Sequence, residues 1–219
     1  MSRIFGNWFS VDGFNAWKLH TAWDYIYFFL IIAAGIALIK LVIRIMDSRR
    51  DLPHALARTA KTLKRAGGPG SECYVGKTIR SKKDVRDCEL VAVLPDKVVA
   101  VKVFPFGLQI FGGVNEPRWR FCFNKDERWE DNPLGALEEQ KVVLNRVFMR
   151  AGVKSVPVET LIVFADNYGT AKFKIDGVRE CVALGYIKKW RKDTKRNVKI
   201  DLGAVKAALE EAFAGDTNN

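Results

Sequence analysis

The chain has little cysteine, and none of it is arranged for chemistry. Cys73, Cys88, Cys122 and Cys181 include no pair at the spacing of a metal knuckle or a redox dithiol. That excludes a sequence-evident zinc site and a thioredoxin-type function, and it fits a compartment that keeps thiols reduced and mostly buried. Internal repeats and low-complexity segments are also missing, which excludes a solenoid. A phosphate-binding loop is absent too. "GSECYVGKT" ends like one, but Ser71 stands where the fingerprint needs glycine and Gly70 comes one residue early. No hydrophobic strand precedes it, so nucleotide binding is not its explanation.

Charge is missing from "YIYFFLIIAAGIALI", Tyr25 to Ile39, and "KLVIRIM" continues the run to Met46 with only Lys40 and Arg44. About 20 apolar residues cross a bilayer core, and basic residues near one end snorkel to the headgroups. A cleaved signal peptide would carry small residues where Lys40 and Arg44 stand, and it would follow a shorter polar start. A retained single-pass helix is therefore expected. Few cations precede it (Arg3 and Lys18), whereas Arg49, Arg50, Arg58, Lys61, Lys64 and Arg65 follow it. The positive-inside rule then places the N-terminus outside and the C-terminal bulk in the cytoplasm of a bacterial-type cell, anchored to the inner membrane.

What remains is a basic chain of 219 residues with a formal net charge of +11. The expected organisation is an extracytoplasmic segment over 1–22, a transmembrane helix over 23–46 and a basic juxtamembrane helix over 47–66. A cytoplasmic domain over 67–214 and a frayed tail over 215–219 follow. Residues 23–65 are expected to contact membrane lipid, the basic helix by attraction to anionic headgroups. Within the domain, "CELVAVL" and "VVAVKVF" around "PDK" predict a strand, a tight turn and a strand. "FPFGLQIFGG" leads to a third strand and "RWRFCFN" to a fourth. "NPLGALEEQKVVLNRVFMRAG" is a helix capped by Asn132 and opened by Pro133. "VETLIVFAD" is a buried strand, "TAKFKI" and "CVALGYI" are weaker ones, and Asp201 caps a closing helix. The class is mixed α/β.

Three groups of residues invite a functional reading. Lys102 interrupts a strand that is otherwise apolar on both faces, so it is either the guard of an edge strand or a buried cation with a partner. Gln140 is the polar member of the stripe Leu137, Leu144, Val147, Phe148 and Ala151, and its amide needs satisfying. "YIKKWRKDTKRNVK" sets Lys188, Lys189, Arg191, Lys192, Lys195 and Arg196 around Trp190, a composition suited to phosphates and a stacked base, or else to a solvated face.

In order, these pieces resemble the nuclease-related domain (NERD) family, itself similar to restriction-endonuclease-like nucleases. "GGPGSE" with Glu72, the acidic hairpin "DCELVAVLPDKVVAVKVF" with Asp87 and Glu89, and the aromatic-glycine hairpin "PFGLQIFGG" look like its motifs. Trp129, "NPLGALEEQ" with Gln140, and "TLIVFAD" continue the pattern. The resemblance implies a transmembrane helix followed by a restriction-endonuclease-like mixed sheet flanked by helices. It also implies a glutamate-x-lysine pair, in which the glutamate holds a divalent metal and the lysine organises the attacking water. Here one member is lost. One register puts Lys102 at the glutamate and Phe104 at the lysine; the other puts Ala100 at the glutamate.

The degraded site would comprise Glu72, Asp87, Glu89, Lys102 and Gln140, with the lysine's charge replacing the metal, no metal ligand set and no cofactor. The expected function is a catalytically inactive, membrane-anchored nuclease-like module that binds DNA or serves in assembly at the inner membrane face. Two alternatives stand beside it: an active nuclease using magnesium, and a structural subunit among other subunits of a membrane complex.

Overall fold

The computed structural model describes residues 22–48, 51–81, 84–106, 109–123, 126–153, 155–166, 172–178 and 180–214. The expectations for residues 1–21 and for the tail 215–219 lie outside the described residues. Two compact units divide at Ser48. The first contains helix α1 (Ala22–Ser48), whose stretch Tyr25–Ile45 is long and apolar enough to span a membrane and is not buried by the rest of the chain.

Among the described residues, the second unit holds α2 (Leu52–Gly67), nine strands and three further α-helices. Helix α2 starts because Asp51 accepts a hydrogen bond from the His54 amide at 3.3 Å and Pro53 suits the first turn. Its inward stripe of Ala55, Leu56, Thr59 and Leu63 is buried against the sheet. The basic helix therefore belongs to the folded unit, which begins before the boundary expected at residue 67. An amphipathic helix with such a stripe buries it where a sheet face is on offer.

Strands β1 (Glu72–Ser81), β2 (Asp84–Leu94), β3 (Lys97–Phe104), β7 (Val158–Phe164) and β9 (Cys181–Ala183) form a five-stranded sheet in the order β1-β2-β3-β7-β9. The first three are antiparallel neighbours, and β7 joins β3 in parallel through a crossover containing α3 (Leu134–Arg150). From Glu72 onward, the segment that mimicked a phosphate-binding loop is strand β1. More consequentially, β3 is the central strand, which removes the edge-strand explanation of Lys102. The parallel partner β7, brought back by α3, covers the side an edge strand would leave open.

One face of this sheet, with Leu90, Ala92, Val99, Val101 and Val163, packs on α2 and α4 (Ile187–Asp193). The other, with Val91, Val93, Val98, Ala100 and Phe104, packs on α3 and α5 (Leu202–Ala214). The same core takes in Ile110, Trp119 and Phe121 from a second sheet, made of β4 (Gln109–Gly113), β5 (Arg118–Phe123), β6 (Asp126–Asp131) and β8 (Lys172–Asp176) in the order β6-β5-β4-β8. Asn132 stops the chain before α3 by accepting from the Leu134 amide at 3.0 Å, while its own amide donates to the Glu116 carbonyl at 2.8 Å. Mixed sheets flanked by helices are thus present.

Candidate functional site

The β2–β3 ladder pairs Leu94 with Lys97 and runs to Leu90 opposite Val101. One residue further on, the Lys102 ammonium meets the Glu89 carboxylate in an ion pair. The second Glu89 oxygen accepts from the Val103 amide at 3.0 Å. Period two puts Lys102 beside Ala100 and Phe104, on the face toward α3. The side chains of Lys102 and Glu89 are 37% and 24% exposed, so the pair is half-buried at the rim of the core. Its cation lies 5.7 Å from the Phe104 ring centroid. Both carboxylate oxygens of Glu89 are therefore committed, one to a fixed cation and one to the backbone.

The other expected members are dispersed. Gln140 donates to the Asp87 carbonyl at 2.9 Å, tying α3 to β2, so its amide is satisfied by backbone. The exposed Asp87 carboxylate accepts from the Thr78 hydroxyl at 2.6 Å. Glu72 lies opposite Val93, four residues along β2 from Glu89, a distance of about 13 Å at strand rise. It is paired with Lys206 of α5 at 2.7 Å. Glu89 and Lys102 thus meet, Asp87 and Gln140 are linked through a backbone carbonyl, and Glu72 stands apart. No group of three His, Cys, Asp or Glu side chains suited to a metal occurs among the described residues. A magnesium-type ion needs several free oxygen ligands, and Glu89 clamped by Lys102 does not offer them.

The basic segment after β9 is the helix α4 and the chain following it, and part of its charge is internal. Arg191 is buried and bonds both oxygens of buried Asp96, at 2.9 and 2.6 Å. Arg196 binds Glu159 through its guanidinium at 2.8 Å and donates its amide to Asp96 at 2.7 Å. Trp190 is half-buried and lies 4.8 Å from the Lys97 ammonium. Lys188, Lys189, Lys192 and Lys195 stay exposed. Two arginines and the indole are hence occupied in holding α4, and the four lysines remain at the surface.

Sequence reasoning missed the network that occupies them. Lys97 is fully buried, and its ammonium donates to Glu159 at 2.7 Å and to the Thr194 carbonyl and hydroxyl at 2.8 and 2.9 Å. "PDK" reads as an exposed tight turn, and nothing in it announces partners 62 to 97 residues away. The one available signal was the cluster of arginines itself. Burial works against the Asp96 charge, but hydrogen bonds from Arg191 and the Arg196 amide, with the fields of Arg191 and Lys97, outweigh it and hold its pKa below the usual aspartate value.

Three of the four thiols, Cys73, Cys88 and Cys181, are poor nucleophiles. Burial pushes Cys73 up to about 11, and Cys88 and Cys181 to about 12. A recess of about 330 Å³ lies among the end of β1, the start of β2, the end of α3 and α5, lined by Arg80, Asp84, Val147, Arg150 and Glu211 among others. None of the five expected site residues lines it. No protein-family model, no curated protein and no solved structure matches the chain.

Proposed function

We propose that the chain is a membrane-anchored, nuclease-like module that lacks metal-dependent cleavage and acts in assembly at the inner membrane face. What carries the proposal is the Lys102–Glu89 pair: a fixed ammonium occupies the carboxylate that a metal would need, on the central strand of the sheet. The order of motifs that resembles the nuclease-related domain family supports it, as does the single apolar helix near the N-terminus. A cation built into the protein satisfies the acidic residue without a metal and leaves no activated water.

DNA binding is the second reading, favoured by the exposed Lys188, Lys189, Lys192 and Lys195. With Trp190, Arg191 and Arg196 engaged internally, DNA would be held by phosphate contacts alone, without base stacking. Such binding would be weakly selective and steeply dependent on salt. The deciding experiment incubates the full chain in detergent with plasmid and single-stranded DNA, in magnesium or manganese. Intact DNA is the expected result. Metal-dependent cleavage abolished by Glu89→Gln would overturn the proposal in favour of an active nuclease.

A further inference from the structure

Helices α2 and α4 pack side by side on the same face of the five-stranded sheet. Each turns its apolar stripe inward, Ala55, Leu56 and Leu63 on α2 and Ile187 on α4. Their outward surfaces are basic. Lys61, Lys64 and Arg65 on α2, and Lys188, Lys189 and Lys192 on α4, are all exposed. These cations lie over a hundred residues apart in sequence and share one layer only because both helices cover one sheet face.

Acidic groups nearby do little to cancel them. Asp96 and Glu159 are spent on Arg191, Lys97 and Arg196, while Asp51, hydrogen-bonded to His54 at 2.6 Å, and Asp166, whose field reaches Arg58, keep their charge against six exposed cations. Asp193 is the exposed acid within α4. Only residues 49–51 join α2 to α1, the helix long and apolar enough to enter a bilayer. So short a connection keeps α2 within reach of the surface that α1 enters.

We infer that this α2/α4 layer docks on anionic phospholipid headgroups of the membrane in which α1 is anchored. The chemistry is many-point and electrostatic: flexible ammonium groups on helical surfaces meet a negatively charged plane, with no pocket and no stereospecific contact. Part of the segment that resembles a nucleic-acid patch is thereby a second lipid contact, distant in sequence from the first. The inference rests on the membrane-anchored reading above but not on the Lys102–Glu89 pair.

The test uses the full chain in lipid nanodiscs, either purely phosphatidylcholine or phosphatidylcholine with phosphatidylglycerol. An amine-acylating reagent is added, and lysine modification is read by mass spectrometry, with the exposed Lys172 and Lys174 of the second sheet as internal references. In anionic discs, Lys61, Lys64, Lys188, Lys189 and Lys192 should react about threefold or more slowly than in neutral discs, and high salt should abolish the difference. Replacing Lys188, Lys189 and Lys192 by glutamine should weaken the protection of Lys61 and Lys64, while the references stay unchanged.

Equal reactivity in the two lipids would overturn the inference. So would protection that appears in neutral discs only when an oligonucleotide is added, which would assign the surface to nucleic acid. Either outcome leaves the cleavage assay untouched, so failure of the docking surface is distinguishable from failure of the inactive-site proposal.

Discussion

Lys102→Met keeps the length of the side chain and removes its charge. The magnitude follows from the degree of burial. Breaking a fully buried pair costs about 3–5 kcal/mol, and an exposed pair is worth about 0–1 kcal/mol. Lys102 and Glu89 are 37% and 24% exposed, and Glu89 keeps its bond to the Val103 amide when the lysine is gone. Solvent reaches both groups, so the expected loss is about 2 kcal/mol. With a urea m-value of about 2 kcal/mol/M, the midpoint falls by about 1 M.

The assay is urea unfolding of the full chain in detergent, followed by tryptophan emission, to which buried Trp119 contributes. Adding Glu89→Leu to Lys102→Met should recover part of the loss, because an apolar pair no longer strands a carboxylate. A shift below about 0.5 kcal/mol, or a double variant no more stable than the single, would refute the claim that the lysine holds the carboxylate in place.

Other outcomes follow from the same contacts. Arg191→Leu leaves Asp96 buried without its two-point partner and should cost about 3–5 kcal/mol in urea unfolding, more than Lys102→Met. Because the folded pKa of Asp96 is depressed, its contribution is present above the ordinary aspartate pKa of about 4 and is lost as pH falls through the lower folded value. Unfolding midpoints should drop across that acid window in the wild type and less in Asp96→Asn. Gly112→Ala would place a Cβ 2.4 Å from Cδ1 of the buried Trp119 indole, so a loss of about 1–3 kcal/mol is expected in thermal or urea melts. Protease added outside intact cells should spare the unit after Ser48, and digestion of that unit would reverse the proposed orientation.

Much of the local architecture was legible in the sequence because it depends on neighbours in the chain. Asp51 and Asp201 sit at helix starts and accept amide hydrogen bonds as their types predict, whereas Asn132 stands one residue before the cap position, Pro133, and accepts from the Leu134 amide two residues on. The continuous apolar run of β3 marked a strand covered on both faces. Strand β1 was missed, since Gly76, with φ +60°, and the polar residues around it break the alternation that announces a strand. Helix α4 was missed as well, because only Ile187 and Arg191 of its seven residues are buried, with Trp190 partly so, and an arginine does not advertise burial.

By itself the sequence determined the apolar helix near the N-terminus, the mixed α/β class, and the presence of an unexplained lysine in an apolar strand. Each is a property of composition or period within a few residues. The tertiary structure alone decided that β3 is central, that Glu89 rather than Glu72 faces Lys102, and that Arg191 and Arg196 serve Asp96 and Glu159. It also set α2 beside α4, joining basic residues remote in the chain. The physical reason is common to all of these. Charge partners are chosen across strands and helices by which elements the crossover and sheet order bring together, and that order is written in the packing of whole faces rather than in any local stretch of residues.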